Sequence, residues 1–384
     1  MLAQPITDGP HETPKLAKKG IPFLSVEAIV NNKLDFTRKR GYISLDYNNQ
    51  CNKKYKPQLY DVYLVKSGST VGKVAIVETN TVFNIWSPLA AMRVNSFNNP
   101  YFLYYLLQTD KLQDQIKQKS KGGTQPNLSM RILEKCSTAY TDLKEETQIA
   151  SLLDKVDQQL VLQQRKLEHL KLLKKAMLQQ LFTNDKTPIL RFKEFNSAWE
   201  QRKLGDLANI LRGASPRPIK DKKWFDPNSK IGWIRISDVT AQNGKVYVLN
   251  QHLSKEGQKK TRVVHPQTLL LSIAASVGYP VITYIETGVH DGFVIFDHPQ
   301  FNLDFMFFKL QEIQKFWNKY GQSGSQININ SSIVANTKIL IPTNKEQRYI
   351  SIILTKVEKS ITLQLQNINR FEQMKKFLLQ NMFI

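Results

Sequence analysis

The chain has 384 residues, 41% of them hydrophobic and 22% charged, so it is long enough for two or three domains with sizeable cores and too apolar for a disordered tail. Its 54 Lys and Arg against 32 Asp and Glu leave a net charge of +22 and point to a polyanionic partner, nucleic acid above all, because phosphates release counterions as Lys and Arg replace them. No apolar run reaches bilayer length, no leader pattern opens the chain, and two cysteines, Cys51 and Cys136, suffice for neither a disulfide framework nor a zinc quartet; a cytoplasmic protein is expected.

Residues 1–141 read as a mixed α/β domain. "FLSVEAI" (23–29) alternates like a strand. "GSTVGK" (68–73) resembles a phosphate loop but is one residue short between its glycines and has Val74 where a magnesium-binding hydroxyl belongs, so it reads as strand, turn, strand. "NNPY" (98–101) is close to the Asn-Pro-Pro-aromatic box of amino-methyltransferases but lacks the second proline and a glycine-rich cofactor loop; a turn into the aromatic helix "YFLYYLL" explains it better. Loop residues Lys66, Ser67, Ser69, Lys73, Thr124, Gln125 and Asn127 are of the types that grip phosphates or read base edges.

A long helix is predicted over residues 142–184. Asp142 stands three residues before Glu145, the spacing of a capping box. Apolar residues then recur at steps of three and four: Ile149, Leu153, Val156, Leu160, Leu167, Leu170, Leu173, Met177 and Leu181, with Gln163 inside the same seam. The polar, proline-containing "TNDKTP" (183–188) stops it.

Residues 185–342 repeat the first domain faintly. "WIRISDV" (233–239) matches "FLSVEAI", "IAASVGYPVI" (273–282) matches "GSTVGKVAIV", and "SGSQININ" (323–330) matches "GGTQPNLS". Candidate contact residues here are Arg212, Arg217, Lys220, Arg235, Ser272, Ser276, Tyr279, Ser325, Gln326 and Asn328. The second copy opens with "PILRFKEFNSAWEQRKLGDLANILRGA" (188–214); a stretch of roughly fifteen to twenty residues of it has no counterpart at the N-terminus, so the first domain is expected to be short by a strand or helix.

Residues 343–384 form the second predicted long helix. Aligned at an offset of 201, Lys144–Phe182 and Lys345–Phe383 share thirteen identities in thirty-nine positions, and "LKKAMLQQLF" (173–182) returns as "MKKFLLQNMF" (374–383). The seam returns too, as Ile350, Leu354, Val357, Ile361, Gln364, Ile368, Phe371, Met374, Leu378 and Met382. Such seams mark helices that lie against one another, and chain connectivity makes the pair antiparallel. The fold expected is α+β: two mixed α/β recognition domains separated by a coiled-coil spacer of two helices about 60 Å long, pseudo-twofold and dumbbell-shaped.

Catalytic chemistry finds no constellation. Asp226 with Lys230 and Asp61 with Lys66 are isolated pairs, and the six histidines show no metal-ligand spacing. No catalytic residue and no metal site is assigned.

Taken together, "DGPHETPKLAKKGIPFLSVEAI" (8–29), "LRFKEFNSAWEQRKLGDL" (190–207) and the two helix endings resemble the specificity subunit of type I restriction-modification enzymes over essentially the whole chain. The resemblance implies a non-catalytic subunit whose two target-recognition domains bind a bipartite double-stranded DNA sequence. It implies that the helices dock two methyltransferase subunits, with separate restriction and motor subunits, and that S-adenosylmethionine, ATP and Mg belong to those partners and not to this chain. It also places Arg235 and the "GGTQPNLS" and "GSQININ" segments in the recognition domains. The rival readings are a stand-alone nuclease or DNA methyltransferase with an unrecognised site, and a coiled-coil assembly protein whose charge serves solubility.

Overall fold

The structure, a computed structural model, describes residues 1–120, 126–182, 185–274, 276–320 and 329–383. Two compact units divide the chain: Met1–Arg165 with Gln366–Ile384, and Lys166–Leu365. Each contains one mixed α/β domain and a segment of both long helices.

In the first unit Val62–Val65 and Leu89–Met92 are unbroken apolar runs, as strands covered on both faces must be. They form the middle of an antiparallel sheet ordered Thr7–Asp8, Leu89–Met92, Val62–Val65, Val74–Ile76. Side chains alternate across it. Val62 and Leu64 face a core with the aromatic helix Pro100–Leu106 and the long helix, while Tyr63 and Val65 face Leu24, Phe83 and Ile85. The second unit repeats this scheme with Asn209–Arg212, Phe293–Asp297, Thr268–Ser272 and Pro280–Thr283, and adds Lys245–Val246 at the edge. Leu269 and Leu271 face the helices and Leu270 faces the far layer.

The far layer is a small sheet with one parallel pair, Ile21–Leu24 with Asn84–Ile85 in the first unit and Gly232–Ile234 with Thr287–Val289 in the second. Here the copies diverge. The third strand, Gly41–Ile43, pairs with Ile21–Leu24, whereas Arg262–Val264 pairs with Thr287–Val289 on the opposite side. The alternation in "FLSVEAI" and "WIRISDV" overstates the strand: it ends at Leu24 or Ile234, and a short helix, Val26–Ala28 or Ile236–Ala241, takes over. At the second site Asp238 accepts the Arg235 N–H at 2.8 Å, which fixes the helix start.

The long helices are Leu143–Leu181 and Asn344–Asn381, 39 and 38 residues, each about 57 to 59 Å at 1.5 Å per residue. The first begins in the first unit and ends in the second; the other runs the reverse course. Within each unit their segments pair antiparallel. In the first, Ile149 and Leu153 share a core with Leu378, Met382 and Phe383; in the second, Met177 and Leu181 share one with Ile350, Leu354 and Val357. Leu153 and Leu354 are equivalent and fully buried, and each contributes about 1.5–3 kcal/mol by burial.

The repeated phrase has its explanation at these ends. Phe182 packs on Phe305 at 5.4 Å between ring centres, and Phe383 packs on the equivalent Phe102 at 4.9 Å. At their starts, the helices hold the caps of those same aromatic helices: the Asn99 N–H donates to Glu146 at 2.6 Å, and the Asn302 N–H donates to Gln347 at 2.9 Å. Two seam assignments are corrected. Leu173 and Met374 are exposed, because the neighbouring Lys174 and Lys375 turn inward instead.

A further pairing distinguishes the second unit among the described residues. Glu200–Lys203 pairs with Lys338–Ile341, while residues 134–142 of the first copy carry no strand. From the same segment Arg191 donates to Glu346 at 2.8 and 2.9 Å, and Trp199 donates at 3.3 Å, so Glu346 is 1% exposed. Its counterpart, Glu145, accepts from Thr141 at the surface. The expected capping boxes are therefore half formed: Asp142 and Thr343 accept from the N–H three residues on, but the glutamate side chains bond elsewhere.

Candidate nucleic-acid interface

The segment "GSTVGK" is a hairpin turn joining Val62–Val65 to Val74–Ile76, with Gly72 at φ +95°, a conformation other residues resist. "NNPY" is a helix start, with Asn99 capping Tyr101 and Phe102. Ser67 and Asn127 are bridged, so the hairpin turn and the 126–129 loop lie side by side. Ser69, Lys73 and Asn127 are exposed there and Ser67 is half-buried; Thr124 and Gln125 lie outside the described residues.

Lys66 turns inward. It is 8% exposed and lies 3.3 Å from the fully buried Asp8, which also pairs with Lys54 and with His11. The equivalent position in the second unit is Ile273: Leu128 donates to the Lys66 carbonyl at 2.7 Å just as Ile329 donates to that of Ile273 at 3.1 Å. Lys66 thus faces an internal acid at a place that the second unit fills with an apolar core residue.

In the second unit Ser272 is also internal, donating to the Ser276 carbonyl and accepting the Tyr279 N–H at 2.9 Å. Ser276 is half-buried, Tyr279 and Lys220 are exposed, and Ser325, Gln326 and Asn328 lie outside the described residues.

Three candidates, Arg212, Arg217 and Arg235, come together around a turn that sequence reasoning missed, His290-Asp291. Arg212 donates to the Asp291 carbonyl at 3.0 Å, and Arg217 donates to its carboxylate at 2.7 Å. Ser215 donates to the same carboxylate at 2.9 Å and accepts the Asp291 N–H at 3.1 Å. Burial pushes the Asp291 carboxyl up, but the Ser215 hydrogen bond, together with the neighbouring His290, Arg217 and Arg212, outweighs it and leaves it below its ordinary value. Burial lowers His290, and the nearby Arg217, Arg235 and Arg212 lower it further against the pull of Asp291. Since the Gly292 N–H donates to His290 Nδ1 at 2.8 Å, that nitrogen carries no proton, and its 3.1 Å approach to Asp291 is proximity and not an ion pair.

The first unit fills the equivalent turn differently. Trp86 stands there, with the Arg40 guanidinium 3.9 Å from its ring centre and its indole N–H donating to the Glu12 carbonyl. In both units a glycine lets the first strand press on this turn: a Cβ on Gly9 would come within 1.9 Å of the Ile85 oxygen, and one on Gly213 within 2.1 Å of the His290 oxygen. The scaffold is shared and the side chains it presents are not.

Among the described residues no three His, Cys, Asp or Glu side chains gather closely enough to hold a metal ion, and no helix is long and apolar enough to cross a membrane. Burial raises both thiols, Cys51 and Cys136, so neither is a ready thiolate.

Two copies of one α/β fold, each clasped by antiparallel segments of two long helices and each presenting its own polar loops, define a duplicated recognition scaffold. The family model for the type I restriction modification DNA specificity domain matches residues 10–172 and 196–373. The chain belongs to that family, and its function is that of a type I restriction-modification specificity subunit, a DNA-binding role. It is similar to a putative type I restriction enzyme MjaX specificity subunit of Methanocaldococcus jannaschii, 26% identical over 94% of this chain and 85% of the relative. A second subunit from that organism, MjaVIII, is 23% identical over 92% and 83%. Among solved structures, the S subunit from M. genitalium superposes with a TM-score of 0.62 at 15% identity, covering 99% of this chain and 93% of the other. The HsdS subunit from Thermoanaerobacter tengcongensis gives 0.51 at 16%, covering 94% and 90%. These likenesses carry the fold.

Proposed function

We propose that the two units each read one part of a bipartite double-stranded DNA target and that the chain performs no chemistry itself. The observation that carries this reading is the turn just described: one backbone scaffold occurs twice, presenting Arg217 and Asp291 in one copy and Arg40 and Trp86 in the other. Two readers of one sequence would have no reason to differ there. Arg212, Arg217, Arg235, Lys73 and Asn127 on these loops are basic or amide side chains suited to phosphates and base edges, and among the described residues no three His, Cys, Asp or Glu gather as the magnesium site of a nuclease would need.

Docking of partner subunits falls to the long helices. Leu152, Leu162 and Leu172 on the first and Ile352, Leu363 and Phe377 on the second are exposed, more apolar surface than two solvated helices need. By its family the chain works with two methyltransferase subunits and with restriction and motor subunits, and S-adenosylmethionine, ATP and Mg act in those. Binding selection on randomised duplexes tests the bipartite reading: two enriched blocks separated by unread positions are expected, with affinity falling steeply as salt rises. A single continuous block would overturn it. Methyl transfer or cleavage by the purified chain alone, given S-adenosylmethionine or Mg, would overturn the non-catalytic part.

A further inference from the structure

The pair Arg217–Asp291 has the form of a reading device rather than a stabilising contact. The Arg217 side chain is 69% exposed, and ion pairs that open to water add little to stability. Yet this pair is built with care. Asp291 is fixed at all three of its polar groups: its carboxylate by Ser215 and Arg217, its N–H by Ser215, its carbonyl by Arg212. The loop carrying Arg217 is tied to the same turn by Gly213 donating to Phe293 and Ala214 to Val289, both at 2.9 Å. Pro216 and Pro218 flank Arg217 and narrow its backbone freedom further.

Among the described residues the guanidinium makes this one hydrogen bond, through Nη2, which leaves the rest of its fork of donors exposed. An arginine fork offers two parallel N–H donors, the complement of the O6 and N7 acceptors on the major-groove edge of guanine. Resting on the reading of this unit as a DNA reader, we propose that Arg217 recognises a guanine in the major groove, with Asp291 as the positioning residue that holds its guanidinium in the reading orientation. Arg212 and Arg235, gathered at the same turn, supply the surrounding positive charge that draws in the phosphate backbone. The first unit has Trp86 and Ser87 at this place, so the guanine belongs to one part of the target only.

The test is binding selection on randomised duplexes with the full chain, wild type beside Arg217→Gln, Arg217→Lys and Asp291→Asn, with thermal melting to confirm that each variant folds. The wild type is expected to enrich a motif containing an invariant guanine. Arg217→Gln and Arg217→Lys are expected to lose preference at that position by about ten- to a hundredfold and to keep every other position. Because Arg217→Lys keeps its charge, a phosphate contact would survive in it, so loss of preference at the guanine position in that variant separates base reading from phosphate contact. Asp291→Asn relaxes the same position, an effect that a merely structural carboxylate would not have. A motif unchanged in the Arg217 variants, or weakened evenly at all positions, overturns the inference and leaves the DNA-reading role standing. A wild-type chain that enriches no motif overturns that role and the inference with it.

Discussion

Lys174 on the first long helix donates to Glu358 on the second at 2.7 Å, and the equivalent residues repeat the bond in the other unit, where Lys375 meets Asp157 at 2.7 Å. Both lysines also stand 5.5 Å from equivalent aromatic rings, Phe308 and Tyr105. The first lysine of the repeated "KK" is therefore an internal device: a cation set into an otherwise apolar seam, which is satisfied only when the two helix segments are in the right register.

Glu358 also meets Lys245 at 3.2 Å, so Glu358→Gln strands Lys174 and leaves Lys245 to Asp304, while Lys174→Met leaves Glu358 paired with Lys245. Glu358→Gln is expected to cost the second unit about 2–4 kcal/mol and Lys174→Met about 1–2. Denaturant unfolding of each single variant and of the double variant checks this. A double variant less destabilised than the sum of the singles shows the coupling, and strict additivity would contradict it.

Arg191 and Glu346 give a sharper contrast between the copies. Arg191→Ala leaves a buried carboxylate with Trp199 as its remaining partner, and a loss of about 3 kcal/mol is expected. Glu145→Gln, at the equivalent but exposed position, should change stability by less than about 0.5 kcal/mol. Comparable losses at both positions would mean that the first copy encloses its glutamate too.

The long helices could be read from the sequence because their seam is periodic and duplicated, two signals that local propensity cannot imitate. The exception is instructive. Leu173 fits the apolar period better than Lys174 does, yet the lysine is the inward residue, because its partner Glu358 lies 184 residues away where no local pattern reveals it. The His290-Asp291 turn was hidden for the same reason. Arg212, Arg217 and Arg235 stand out as basic loop residues, but His290 and Asp291 lie between two apolar strands and look like an ordinary polar turn until the fold brings Ser215 and Arg217 to them. Lys66 misled in the opposite sense: only the position of Asp8, far away in sequence, turns a loop lysine into an internal one.

The same turn makes the second unit sensitive to acid. Since His290 titrates below its ordinary value of 6.5, the unfolded chain binds that proton more readily than the folded one. Its contribution to stability is full above about 6.5 and is lost as pH falls through the lower folded value, where protonation also breaks the bond from Gly292 and places a cation among Arg212, Arg217 and Arg235, against the pull of Asp291. Melting temperature should therefore fall as pH drops from neutral, and His290→Gln should flatten that fall. An identical pH profile in the variant would remove His290 as its source. The depressed Asp291 carboxyl adds a second decline only below about 3.8.

Arg235 offers the most direct separation of the two readers. Its side chain is exposed at the start of the helix Ile236–Ala241, while its backbone N–H, and not its guanidinium, is what Asp238 holds. Arg235→Ala should therefore leave the fold intact and act on DNA alone. If the arginine touches a base, one position in one part of the target relaxes by about 1–3 kcal/mol; if it touches a phosphate, binding weakens evenly across sequences and the salt slope falls by about one. Either way, selection on randomised duplexes should show the block read by the first unit unchanged in sequence. Altered base preferences in both blocks would contradict independent reading, since Arg235 belongs to the second unit and its neighbour His290, with Asp291 beside it, belongs there as well.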